Sequence, residues 1–106
     1  MDINDPLESD FHSTLTAYEE LLTAKNGRTT KASRTRQKLN NKSVVECLED
    51  WAVASTPTEG FQLLVQAGLV ELTGEYLVLK YPEKFTTRAI DHARRRLKEV
   101  GWEGRL

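Results

Sequence analysis

The chain has 106 residues, 39% hydrophobic and 29% charged, enough apolar material to bury one core and too ordinary a balance for a disordered acidic or basic tail. A single cysteine, Cys47, excludes an internal disulfide framework and a multi-thiolate zinc site, which suits a reducing, cytoplasmic setting. The formal net charge of −1 averages over blocks: residues 1–24 hold six acids and no Lys or Arg, and residues 25–45 hold seven basic side chains and no acid. Residues 46–83 are again acidic and 84–106 again basic, so the local field, more than the total, governs encounter with a charged partner.

The opening MDINDPLESD lacks the basic and apolar regions of a secretory signal, and no run approaches the roughly 20 apolar residues of a spanning helix. Residues 1–4 are expected to be a flexible leader to one globular domain covering 1–106. The first predicted helix opens with Asp5 as cap, Pro6 at the first helical position and Glu8 three residues after the cap. Leu7, Phe11, Leu15, Tyr18 and Leu22 then recur at helical spacing, and Asn26 and Gly27 tolerate the left-handed geometry of a helix end.

The second predicted helix, from about Thr30 to Asn41, is polar nearly all round. On a helical wheel Arg28, Lys31, Arg34, Lys38 and Lys42 fall within an arc of about 120°. Arg36 stands outside it, and Ala32, Thr35 and Leu39 form a thin apolar seam. Like charges four residues apart, such as Arg34 with Lys38, each oppose helix formation by about 0.2–0.5 kcal/mol. With no acid inside the segment, relief must come from carboxylates elsewhere or from a bound polyanion. The functional expectation therefore requires these cations to be open to solvent and uncompensated from within the molecule.

SVVE at Ser43 reads as a capping box for a third helix with Val44, Leu48, Trp51 and Ser55 on one line. TPTE at Thr56 reads as another, with Pro57 at the first position and Phe61, Leu64, Val65 and Gly68 inward. Residues 69–81 fit two patterns. Alternation of Leu77, Leu79 and Tyr81 around a TG turn favours a short β-hairpin, while Leu72, Tyr76 and Leu79 also fit a two-turn helix stopped before Pro82. The hairpin is the preferred expectation. The last helix runs from about Thr86 to Val100, with Ile90, Ala93, Leu97 and Val100 inward and Gly101 as its stop. Its RRRLK run reads structurally, Asp91 pairing with Arg94 or Arg95 and Arg95 with Glu99 near a helix end that favours cations.

The fold expected is mainly α, a compact bundle of about five helices. Helices three and four resemble a helix-turn-helix in architecture, and a following hairpin makes the whole winged-helix-like. The second helix of that pair offers Thr58, Glu59, Gln62 and Gln66 but no Lys or Arg, a poor face to place near phosphates. The candidate site is instead Arg28, Lys31, Arg34, Arg36, Lys38 and Lys42. Those cations suit the phosphates of a double-stranded nucleic acid, DNA above all, with no interleaved aromatic for stacking on single strands. The alternative is a protein interaction module, or small subunit, docking an acidic partner through the same segment.

Catalysis is not expected. His12 and His92 both fall away from their helices' apolar stripes, neither adjoins Cys47 in sequence, and the glycines form no phosphate-cradling pattern. Cys47 lies on the inward side of its helix, where cysteine is usually a small buried hydrophobe. No metal or cofactor is expected.

Overall fold

Asp5 and Pro6 open α1, Pro6–Asn26, as the sequence predicts; the structure is a computed structural model that describes residues 4–103. Of the expected leader, only Asn4 lies within the described residues. Pro6 supplies a preset φ at the first helical position, while the Asp5 side chain makes no capping hydrogen bond. Gly27 takes φ 71° and donates its N–H to the Thr23 carbonyl, ending the helix in the left-handed geometry that glycine adopts without strain. Leu7, Phe11, Leu15 and Leu22 are buried along one face.

Five more helices follow: α2, Ser33–Lys38; α3, Val44–Val53; α4, Glu59–Gln66; α5, Gly74–Lys80; and α6, Thr87–Glu99. No strand occurs among the described residues. The α3 capping box is complete, since Ser43 Oγ accepts from Glu46 N–H and the Glu46 carboxylate accepts from Ser43 N–H. The cap of α4 is Thr58 and not Thr56: its hydroxyl accepts from Phe61 N–H, and Pro57 precedes the cap instead of opening the helix. Thr86 caps α6 through Ala89 N–H, and the Glu49 carboxylate of α3 accepts from both the backbone N–H and the hydroxyl of Thr86. At the other end of α6, Gly101 has φ 88° and Trp102 N–H returns to the Leu97 carbonyl.

The hairpin expected over residues 69–81 does not form. Val70–Leu72 is a 3-10 turn, and Thr73 then caps α5 by accepting from Tyr76 N–H, so TGEY starts a helix instead of reversing a strand. The alternation was uninformative because α5 is covered on almost every side: Leu77, Val78 and Leu79 are all buried. A helix enclosed all round carries no amphipathic signature. With no hairpin, the winged-helix likeness lapses, and what remains is an all-helical bundle.

The buried core joins α1, α3, α4, α5 and α6, with Phe11, Leu48, Phe61, Val78, Ala93 and Leu97 among its members. Phe11 and Trp51 stack at 5.5 Å between ring centroids. Gly74 admits the closest approach of α5 to α3, for a Cβ there would lie 2.8 Å from Trp51 and 2.9 Å from Leu48. The RRRLK run is structural, as expected, but through other contacts than the expected pairs. Arg96 turns inward at 9% exposure, donating to the Glu75 carboxylate at 3.2 Å, to the Trp51 carbonyl at 2.9 Å and to the Ala54 carbonyl at 2.5 Å. Arg94 and Arg95 make no ion pair among the described residues, so the expected pairs with Asp91 and Glu99 are replaced by this buried junction of α3, α5 and α6.

Candidate functional site

The basic segment folds as loop, short helix and turn. After Gly27 the chain is fastened back to α1, Thr30 N–H donating to Thr23 Oγ1 at 2.9 Å and the Thr30 hydroxyl donating to the Arg28 carbonyl at 2.9 Å. Then Glu19 of α1, only 6% exposed, takes over. Its carboxylate accepts from Ala32 N–H at 2.8 Å and from Nε and Nη2 of Arg36, each at 2.7 Å. This acid stands at the N-terminal end of α2, where negative charge is favourable, and supplies the cap that Ala32 has no side chain to provide. At Leu39 the helix gives way to a tight turn through Asn41, and Ser43 begins the next helix.

The expected long second helix is thus a six-residue one, Ser33–Lys38. Only Arg34, Arg36 and Lys38 lie on it; Arg28 and Lys31 precede it and Lys42 follows, so the stripe is not one edge of a single helix. The physical cause is the one that made the sequence unusual: a run of like charges with no internal acid cannot sustain several turns. It is held from outside by Glu19 and Asp50.

All six cations are exposed, but they are not all uncompensated, contrary to the expectation. Arg36 forms the two-pronged pair with Glu19, and Lys31 stands 4.0 Å from the same carboxylate. Lys42 meets Asp50 at 2.6 Å, with Lys38 3.9 Å from it. Arg28 and Arg34 have no ion pair among the described residues. The Arg36 hydrogen bonds hold the Glu19 carboxyl below the ordinary range against the opposing effect of burial, and Lys42 does the same for Asp50. Among the described residues, six cations therefore share two carboxylates within ion-pair distance.

Lys31 and Arg34 also line a groove of about 590 Å³. Its lining also includes Leu15, Leu22, Phe61 and Leu64, which are buried in the core, half-buried Tyr18 and Trp51, and Glu59. Buried Glu75, 1% exposed, reaches the same lining, its carboxyl pushed up by burial more than Arg96 draws it down. Thr14 lines it as well, and its buried hydroxyl has no hydrogen-bond partner among the described residues. Sequence reasoning found the cations but not this groove, because its polar floor needed α5 to be a helix. Arg96 was legible in principle: it lies three residues after Ala93 and seven after Ala89, on the buried face of α6.

The remaining candidates stay apart from this surface. Cys47 is fully buried, and desolvation pushes its thiol above the ordinary range, away from thiolate chemistry. His12 is exposed and His92 half-buried, and no cluster of three metal-binding side chains occurs among the described residues. No helix among them is long and apolar enough to cross a membrane. Comparison with known proteins returns no matching family model, no matching curated protein and no matching solved structure.

Proposed function

We propose that the chain is a non-enzymatic, cytoplasmic interaction module that docks an acidic protein partner through residues 28–42. The observation that carries this reading is the run of six exposed cations that share two carboxylates within ion-pair distance, with Arg28 and Arg34 in no ion pair among the described residues. A cluster of one sign of charge sets encounter rate and orientation with a partner of the opposite sign. A six-residue helix offers little length to lie in a major groove.

Duplex nucleic acid is the second reading, favoured by the same unmatched charge and by Ser33, Thr35, Gln37, Asn40 and Asn41, types that reach phosphates and base edges. One double variant separates the two. Arg28→Glu with Arg34→Glu reverses the two cations that no described carboxylate engages, so the fold loses no ion pair. Under the first reading, a complex recovered from cells survives nuclease and is lost in the double variant. Under the second, duplex affinity falls with a log-log salt slope of about −3 to −4 for four phosphate contacts. A variant that loses no binding of either kind would assign the cations to the fold alone.

A further inference from the structure

We infer that a second cleft, lined by α1, the 3-10 turn Val70–Leu72, α5 and Trp102, binds a methylated ammonium group. None of the residues lining it belongs to the segment 28–42, so the inference stands apart from the interaction-module reading above. The cleft holds about 660 Å³, within the range of small-ligand sites. Its apolar lining is partly open to solvent: Leu69 is 36% exposed, and Leu72, Tyr76 and Trp102 are half-buried. Tyr76 and Trp102 meet edge to face, with ring centroids 5.9 Å apart and planes at 85°. Two rings at nearly a right angle cannot sandwich a flat ligand, which needs parallel planes. A rounded cation suits such a pair, because each ring carries negative charge density on its faces.

The charges of the lining select the same sign. Lys80 is its one cation, set against the carboxylates of Asp10 and Glu71, a net charge of −1. Lys80 is already engaged: its ammonium donates to Asp10 at 2.9 Å, and the Tyr81 hydroxyl donates to the same carboxylate at 2.6 Å. An anionic ligand would have to compete with Asp10 for it. Glu71 is exposed and in no ion pair among the described residues, so a cation that enters finds a carboxylate to answer it. Methylation decides between cations. A bare ammonium is strongly hydrated and loses its water on meeting Leu69, Leu72 and the rings, whereas methyl groups make those contacts themselves and keep the charge. Such a group comes either on a free small molecule or on a methylated lysine of another chain.

The test titrates tetramethylammonium into the whole protein while NMR follows the indole N–H resonances of Trp51 and Trp102, assigned with Trp102→Phe. The Trp102 signal should move along a saturating curve and that of Trp51 should stay. The neutral tert-butanol, similar in shape, should bind about tenfold more weakly or worse. Glu71→Gln removes an exposed charge that makes no ion pair, and should weaken tetramethylammonium about two- to fivefold. Trp102→Ala should abolish binding; should that variant unfold, the Glu71→Gln loss and the tert-butanol comparison decide the matter. A Trp102 signal that never moves, or tert-butanol bound as tightly as tetramethylammonium, would overturn the assignment and leave the acidic-partner reading untouched. Choline and a trimethyl-lysine peptide then separate the sources. A peptide bound about tenfold tighter than choline assigns the group to another chain, and choline bound equally or tighter assigns it to a free small molecule.

Discussion

Gly74 shows how one missing side chain sets the distance between two helices. Its φ is ordinary, so the demand is for space and not for backbone freedom: an added methyl would meet the Trp51 ring at 2.8 Å and Leu48 at 2.9 Å. Both neighbours sit in or against the core, so neither yields freely. Gly74→Ala gains up to about 1 kcal/mol in helix propensity but incurs overpacking of about 1–3 kcal/mol. A net loss in the urea unfolding midpoint is expected, and an unchanged midpoint would mean that α5 simply moves away from α3. Arg96 makes a different residue-scale case. Buried ion pairs are often replaced by apolar side chains without loss, yet here Arg96 also serves the carbonyls of Trp51 and Ala54 at the end of α3. Glu75→Leu with Arg96→Met leaves those acceptors without their donor, and the double variant is expected to unfold about 1–3 kcal/mol more easily than wild type. Stability equal to wild type would show that water serves the carbonyls as well as the guanidinium does.

The helix α2 is the element whose existence depends most on a single residue outside it. It has no capping side chain of its own, and no buried side chain among its six residues. Three hydrogen bonds accepted by one carboxylate, Glu19, from Ala32 N–H and the Arg36 guanidinium hold it to α1. Glu19→Gln keeps the size and one acceptor but ends the two-pronged bond with Arg36; a loss of about 1–3 kcal/mol is expected. The amides of residues 33–42 should lose hydrogen-exchange protection while those of α1 keep theirs, and retained protection would show that packing at Ala32 and Leu39 suffices. The sequence displayed this weakness as a basic run without internal acids, but it did not display which acid answers it. Glu19 flanks the apolar stripe of α1, four positions from Leu15, while exposed Glu20 lies on the far side, yet no spacing in the sequence shows which cation Glu19 meets. Helices with clear start signals, α1 through Pro6 and α3 and α6 through their side-chain caps, were legible nearly to the residue. In α5 the cap Thr73 was present in the sequence, but uniform burial removed the periodicity that would have supported it.

Across the whole molecule, segregated charge becomes internal pairing: the acidic first block supplies Asp10 and Glu19, and the acidic third block supplies Asp50 and Glu75, each set against a basic neighbour. Sequence spacing shows the blocks but not the pairs, because partners such as Asp10 with Lys80 are joined only by the fold. These carboxyls do not titrate alike. Hydrogen bonds from Arg36 and from Lys42 hold Glu19 and Asp50 below the ordinary range, and Tyr81 and Lys80 outweigh burial to do the same for Asp10. Their stabilisation is present above the ordinary carboxylate pKa and is lost as the pH falls through the lowered values. Glu75 has the opposite sign, since burial raises it: the folded chain takes up its proton at higher pH than the unfolded chain does. Its contribution is full below the ordinary value and is lost as the pH rises through the raised one. The urea midpoint is therefore expected to rise as the pH falls through the raised range of Glu75, then to drop below the ordinary carboxylate range, where the lowered carboxyls accept protons. Glu75→Gln should abolish the rise and keep the drop, so the difference between the two profiles isolates one buried carboxyl from every other titrating group. Parallel profiles would mean that Arg96 compensates Glu75 fully and that the groove floor carries a permanent charge at neutral pH.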